Sequence, residues 1–155
     1  MKKLLFVFAL IGLSAVAGAQ VSSNALGARL YGGDAYSGAE LSYQKGLNDR
    51  NRLELDASFG FSNDFTRVAL VGIYHWDWNI VGGFNWYVGP GATIAYDNFS
   101  DNTYVNVGVG GQIGTEYKFR DLPLLVSLDS RPIWDFLGDV NGLGWGAALG
   151  IRFTW

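Results

Sequence analysis

The 155-residue sequence predicts an all-β fold: an eight-stranded antiparallel up-and-down transmembrane β-barrel over residues 20–155, preceded by a cleavable signal peptide over residues 1–19. Three observations point there. In the stretch 144–155, Trp145, Ala147, Leu149, Ile151, Phe153 and Trp155 share one parity, while Gly144, Gly146, Ala148, Gly150, Arg152 and Thr154 share the other. Strand side chains alternate with period two, so this segment has one greasy face and one small or charged face. The same two-faced pattern recurs in seven further segments divided by turn-forming residues, which is how a barrel meets lipid with its outside and packs its inside. Composition agrees: 22 Gly and 16% charged residues, against averages of about 7% Gly and about 25% charged in soluble domains.

The amino terminus reads as a leader. Met1-Lys2-Lys3 is basic, Leu4 to Leu13 is apolar, and Ala17-Gly18-Ala19 forms a small-x-small site before Gln20. The apolar run is about ten residues, and a transmembrane helix needs about 20. No later run is long enough either. If the mature chain lies in a membrane it crosses as a closed barrel, because lipid tolerates no unpaired backbone.

The first strand is expected near Asn24 to Tyr31, with Leu26, Ala28 and Leu30 outward. The second, Gly38 to Gly46, turns Ala39, Leu41 and Tyr43 outward and Glu40, Ser42 and Gln44 inward. After a tight turn at Leu47 to Arg50, the third runs from Arg52 to Phe61. There Leu53, Leu55, Ala57, Phe59 and Phe61 oppose Arg52, Glu54, Asp56, Ser58 and Gly60. The fourth spans Thr66 to Trp78, with Val68, Leu70, Tyr74, Trp76 and Trp78 on one face and Val71 and Ile73 on the other.

The fifth strand covers Phe84 to Tyr96, and Pro90 marks a bulge or break because it lacks a ladder donor. A polar loop is expected at Asp97 to Asn102. The sixth spans Tyr104 to Phe119, with Val105, Val107, Val109 and Ile113 outward and Asn106, Gln112, Glu116 and Lys118 inward. The seventh runs from Leu124 to Trp134, bent by Pro132, with Ser127, Asp129 and Arg131 inward. Asp135 to Asn141 is the last loop before the eighth strand. This arrangement puts the turns near 47–51, 79–83 and 120–123 on the periplasmic side and the other connections outside the cell.

Aromatic residues are expected in two interfacial girdles. Tyr43, Trp76, Trp78, Phe84, Trp86, Phe119, Phe153 and Trp155 fall at the periplasmic ends. Tyr31, Tyr36, Phe59, Phe61, Tyr96, Tyr104, Trp134 and Trp145 fall at the outer ends. Many glycines take the inward parity, where a bore of eight strands has room only for side chains.

The inward charges are Glu40, Glu54, Asp56, Glu116 and Asp129 against Arg29, Arg52, Arg67, Lys118, Arg131 and Arg152. Buried charges must pair or stay hydrated, so the candidate site is a structural lumen charge network containing Glu40, Glu54, Glu116, Lys118, Asp129, Arg131 and Arg152. Catalytic, cofactor and metal sites are not specified. His75 is the one histidine, with Asp77 two residues along, but no nucleophile motif accompanies them and an interfacial structural role is expected. Gly108 to Gly111 lacks the Lys-Ser/Thr and the helix of a phosphate loop. The absence of cysteine removes disulfides and thiolate metal sites. A formal charge of −3 with no basic cluster argues against nucleic acid.

The segment Gly114-Thr115-Glu116-Tyr117-Lys118-Phe119, with Leu122-Pro123-Leu124 and Ser127-Leu128-Asp129-Ser130-Arg131-Pro132, is similar to the last three strands of small Gram-negative outer-membrane barrel proteins. The whole pattern of leader, eight strands and terminal aromatic resembles the OmpA/OmpX type. Phe153 and Trp155 resemble the carboxy-terminal sorting signal of that class. The resemblance implies insertion by the barrel-assembly machinery and location in the cell outer membrane after export through the signal peptide; it implies no activity. The expectation is a monomer contacting outer-membrane lipid, without cofactor or catalysis, with a plugged polar lumen and a structural or surface-interaction role. The alternatives are a lipid-modifying barrel enzyme, a narrow ion-conducting pore, and a soluble barrel with its apolar face inside.

Overall fold

The computed structural model describes residues 21–34, 36–62, 65–99, 102–137 and 142–155. The expected signal peptide lies outside the described residues. Eight strands follow: β1 (Asn24–Gly33), β2 (Ser37–Asn48), β3 (Asn51–Phe61), β4 (Phe65–Val81), β5 (Phe84–Phe99), β6 (Asn102–Lys118), β7 in two pieces (Leu124–Ser130 and Ile133–Asp135) and β8 in two pieces (Gly142–Gly144 and Gly146–Thr154). Each pairs antiparallel with the next. β8 returns to β1 in a register running from Ala25↔Thr154 to Gly33↔Gly146, which closes the barrel. Closure leaves no sheet edge, and so no row of unpaired backbone groups facing hydrocarbon.

The sequence predicts which way each side chain points, and the structure shows that alternation turned inside out relative to a soluble protein. Leu30 is 66% exposed, Leu70 64% and Leu149 62%, whereas Arg29 and Arg152, on the opposite parity of their strands, are 1% exposed and Glu54 is fully buried. An apolar outer surface of this extent on a closed barrel fits lipid and not water. The apolar-inside alternative is thereby excluded: Leu55, Leu128 and Ile151 all lie exposed on the outer face.

Local irregularities follow from single residues. The two pieces of β7 keep one register against β6, and the interruption falls at Arg131 and Pro132. Around Pro90 the β4–β5 ladder passes from Ile73↔Gly91 to Trp76↔Val88 without a change of register. The missing proline N–H therefore makes a break and not a bulge. Gly89 beside it is forced by proximity: a Cβ there would sit 1.6 Å from the Tyr74 carbonyl oxygen. The β4–β5 turn uses Gly82 at φ 59, with Asn79 Nδ2 donating to the Gly82 carbonyl at 2.9 Å. Only glycine takes that backbone without strain.

Several strands extend past their expected ends. β4 continues to Val81, and β5 to Phe99, so Asp97 belongs to a strand and not to a loop. Asp135 likewise ends β7 instead of opening a loop. The extension matters, because it carries two more acids, Asp97 and Asp135, onto the inward face.

Candidate functional site: a charged lumen

Five strands supply the arginines that fill the bore, one each from β1, β3, β4, β7 and β8: Arg29, Arg52, Arg67, Arg131 and Arg152. Facing them, among the described residues, are eight buried carboxylates: Glu40, Glu54, Asp56, Asp77, Asp97, Glu116, Asp129 and Asp135. Each lands inside for the reason its apolar neighbours land outside, the parity of its strand.

The centre is a single cluster. Arg29 Nη1 donates to Glu40 Oε2 and, at 3.2 Å, to Asp56 Oδ2, while its Nη2 donates to Asp129 Oδ1. Arg131 reaches in from β7, with Nη1 3.0 Å from Glu40 Oε1 and Nη2 3.1 Å from Glu54 Oε1 and also donating to Asp56. Arg152 donates through Nη2 to Glu54 Oε2 at 3.0 Å, through Nε to Ser42 Oγ at 3.0 Å and through Nη1 to Ser127 Oγ at 2.9 Å. Glu54 thus sits between two guanidiniums and also accepts from Gln44 Nε2 at 2.6 Å. Charge-assisted bonds of this kind are about twice as strong as neutral ones, and guanidinium geometry favours bridging between acids.

Toward the periplasmic end, Arg52 Nη1 lies 2.7 Å from Glu116 Oε2 and Nη2 lies 3.4 Å from Asp77 Oδ1. Arg52 Nε donates to His75 Nδ1 at 3.2 Å. With Nδ1 accepting, the imidazole proton belongs on Nε2, which fits its 3.3 Å contact to Gln112 Oε1. Toward the outer end, Arg67 Nη2 is 3.0 Å from Asp135 Oδ2 and Nε is 3.6 Å from Asp97 Oδ1, and Asn106 Nδ2 donates to Asp97 Oδ2 at 2.9 Å.

The structure brings Glu40, Glu54, Asp129, Arg131 and Arg152 together in the central cluster. Glu116 belongs to the neighbouring Arg52 group. Lys118 stands apart, half-buried at the end of β6, in none of the ion pairs among the described residues. His75, expected at the lipid interface, is instead wholly buried in the lumen against Tyr87, ring centroids 4.7 Å apart. Its partner is Arg52 and not Asp77. The signal was present in the alternation Val71, Ile73, His75, Asp77, which carries the inward parity straight through to Asp77. The outer girdle needs a similar correction. Tyr31 and Tyr36 pack edge-on at 5.4 Å, with Tyr31 bonding Ser58 inside and Tyr36 lying under the Arg67 guanidinium, so both cap the bore and do not face lipid.

Above the central cluster a cavity of about 260 Å³ reaches toward the outer end. Arg29, Glu40, Asp129 and Arg131 form its floor, Ala69, Val71, Thr93, Ile133 and Ala148 its walls, and Tyr36 and Trp145 part of its rim. Its lining ends at the Arg29–Arg131 layer and includes neither Glu54 nor Gln112 below. Phe153 and Trp155, the expected sorting residues, lie on the lipid face at the periplasmic end, both more than half exposed. Among the described residues no group of three or more His, Asp or Glu is arranged to hold a metal ion.

The fold and lumen define a class: a closed eight-stranded antiparallel barrel of the outer-membrane type, apolar outside and ion-paired within. No family profile and no curated protein matches the sequence. Among solved structures the chain is similar to Neisserial surface protein A, with 18% identity, a TM-score of 0.62, and 85% of this chain and 95% of that chain covered. It is similar to the N-terminal β-barrel domain of Pseudomonas aeruginosa OprF at 19% identity and TM-score 0.58, covering 87% of this chain and 100% of that one. It is also similar to Ail, the attachment invasion locus protein of Yersinia pestis, at 14% identity and TM-score 0.51, covering 86% and 97%. At these identities the likeness is one of fold.

Proposed function

We propose that the protein is an integral outer-membrane barrel with a plugged lumen, serving a structural or surface-interaction role without catalysis. The observation that carries this reading is the Arg29–Arg131 layer. Two guanidiniums, from β1 and β7, are tied to Glu40, Glu54, Asp56 and Asp129, and these acids come from three different strands. Opening a path through that layer separates buried ion pairs, and breaking one such pair costs about 3–5 kcal/mol. A bore of eight strands is in any case just wide enough to be filled by side chains.

On this reading the polar interior holds the shell shut, and contact with other molecules falls to the outer surface. The barrel is exported through its leader, matures at Gln20, is inserted by the barrel-assembly machinery, and works as a monomer in contact with membrane lipid. Surface exposure is in keeping with the names of Neisserial surface protein A and of the attachment invasion locus protein. Planar-bilayer recording of the refolded protein tests the plug. The expected record is a silent bilayer; stepwise unitary currents at neutral pH would replace the plug with a narrow pore.

A further inference from the structure

The basic residues outside the lumen are placed on one rim. Lys45 lies near the end of β2, Arg50 in the β2–β3 turn, Lys118 at the last position of β6 and Arg120 two residues beyond it. All four belong to the end that carries residues 47–51, 79–83 and 119–123. The remaining cations after Gln20 are the five lumen arginines. At the opposite rim the connections contain no Lys or Arg, and the sequence there supplies Asp34, Asp64, Asp101 and Asp139. Asp49 and Asp121 share the turns of the basic rim, so its cations outnumber its acids four to two, whereas the sequence of the opposite connections carries acid alone.

The basic rim coincides with the aromatic one. Lys45 Nζ donates to Asn24 Oδ1 at 3.1 Å, and the Tyr43 hydroxyl donates to the same oxygen at 2.9 Å. That shared acceptor holds an ammonium group at the depth of an interfacial tyrosine hydroxyl. Lys45 takes the outward parity and is exposed on the lipid-facing side. On the far side of the barrel, Trp78 and Trp86 stack at 4.5 Å and Tyr117 packs edge-on to Phe119 at 5.0 Å. Arg120 borders the β4–β5 turn beside them. Interfacial Trp and Tyr sit at headgroup depth, and cations just beyond them reach phosphate.

We infer that this rim selects anionic phospholipid headgroups, of the phosphatidylglycerol kind, from the leaflet it faces. The inference rests on the membrane-barrel reading and extends it by naming the lipid class and the side. Each basic residue near an anionic surface favours it by about fivefold. Lys45 and Arg50 serve one side of the rim, and Lys118 and Arg120 serve the other. The connections at the other end contain no Lys or Arg in the sequence, so the preference is confined to one membrane surface and favours one orientation of the barrel.

The test uses the full mature chain reconstituted in mixed vesicles of phosphatidylglycerol and phosphatidylethanolamine. The protein is extracted with mild detergent and the co-purifying lipid is measured. Wild type is expected to retain phosphatidylglycerol severalfold above its share of the mixture, and to lose that excess at high salt, where the attraction is screened. K45Q/R50Q/K118Q/R120Q is expected to abolish the excess, and D64N/D101N to leave it intact. If the fourfold variant fails to fold, K45Q and R120Q singly are each expected to reduce retention. Lipid retained in proportion to the mixture, or an excess untouched by salt and by substitution, would overturn the inference. A chain that stays in the aqueous phase without detergent or vesicles would overturn the membrane reading itself, which is a different result.

Discussion

The two walls of the lumen are built on opposite principles. One wall, β1 to β3, sends in Arg29, Glu40, Gln44, Arg52, Glu54 and Asp56, all long or charged and all buried. The other, β5 and β6, presents Gly89, Gly91, Thr93, Ala95, Gly108, Gly110 and Gly114 over much of its length. The difference teaches how a narrow bore can hold five guanidiniums. A side chain that crosses the axis needs an empty place on the far wall, and glycine supplies it. A Cβ at Gly114 would lie 2.5 Å from Asp129 Cβ and 2.7 Å from the Tyr87 ring, so this glycine makes room for the Tyr87 hydroxyl to donate to Asp129 at 3.1 Å. Charged wall and glycine wall are one packing solution, and neither is stable without the other.

That pairing can be broken from either side. The largest effect is expected from Gly89→Val, which drives a side chain into the backbone of β4. No folded barrel should form, seen as loss of the heat-modifiable band on a gel run without boiling. Next comes Arg29→Met on the charged wall. It leaves Asp129 without a guanidinium and Glu40 with Arg131 alone, and should destabilise by about 3–5 kcal/mol, measured as a lower urea midpoint in lipid vesicles. Gly114→Ala on the glycine wall overfills the bore and should cost about 1–3 kcal/mol in the same assay.

The smallest effect sharpens the comparison by sign. Acids outnumber arginines in the lumen eight to five, and Asp77 meets Arg52 only loosely at 3.4 Å, while Glu116 holds the same arginine at 2.7 Å. Asp77→Asn should therefore shift stability by no more than about 1 kcal/mol. Removing an acid is expected to be mild where removing an arginine is severe, because only the arginines are in short supply. Equal losses for Arg29→Met and Asp77→Asn would show that charge balance is not what organises the interior.

Most of the shell could be read from the chain. Leu53, Leu55, Ala57, Phe59 and Phe61 against Arg52, Glu54, Asp56, Ser58 and Gly60 fix β3 without further help, because period two leaves no other way to separate those sets. The lumen was legible as a list of inward charges but not as a set of partners. Which arginine meets which acid depends on strand tilt and stagger around the barrel, and no single strand carries that information. Glu116 and Asp129 lie on neighbouring strands yet belong to different clusters for this reason. Asp97 and Asp135 look like loop residues beside Asn98 and Phe136, and only the length of β5 and β7 in the closed sheet draws them inside. Tyr31 and Tyr36 show the limit of counting aromatics by position: parity turns Tyr31 inward, and the rim geometry folds Tyr36 over Arg67.

The chain has no cysteine, so single cysteines can carry a fluorescent label at chosen positions, which tests the inside-out arrangement most directly. Labels at Leu55, Leu70 and Leu149 should be quenched by brominated lipid in vesicles, while labels at Ser58 and Ser127, each one parity step away, should not. Quenching at Ser58 and Ser127 with none at the three leucines would place the apolar face inside and contradict the account.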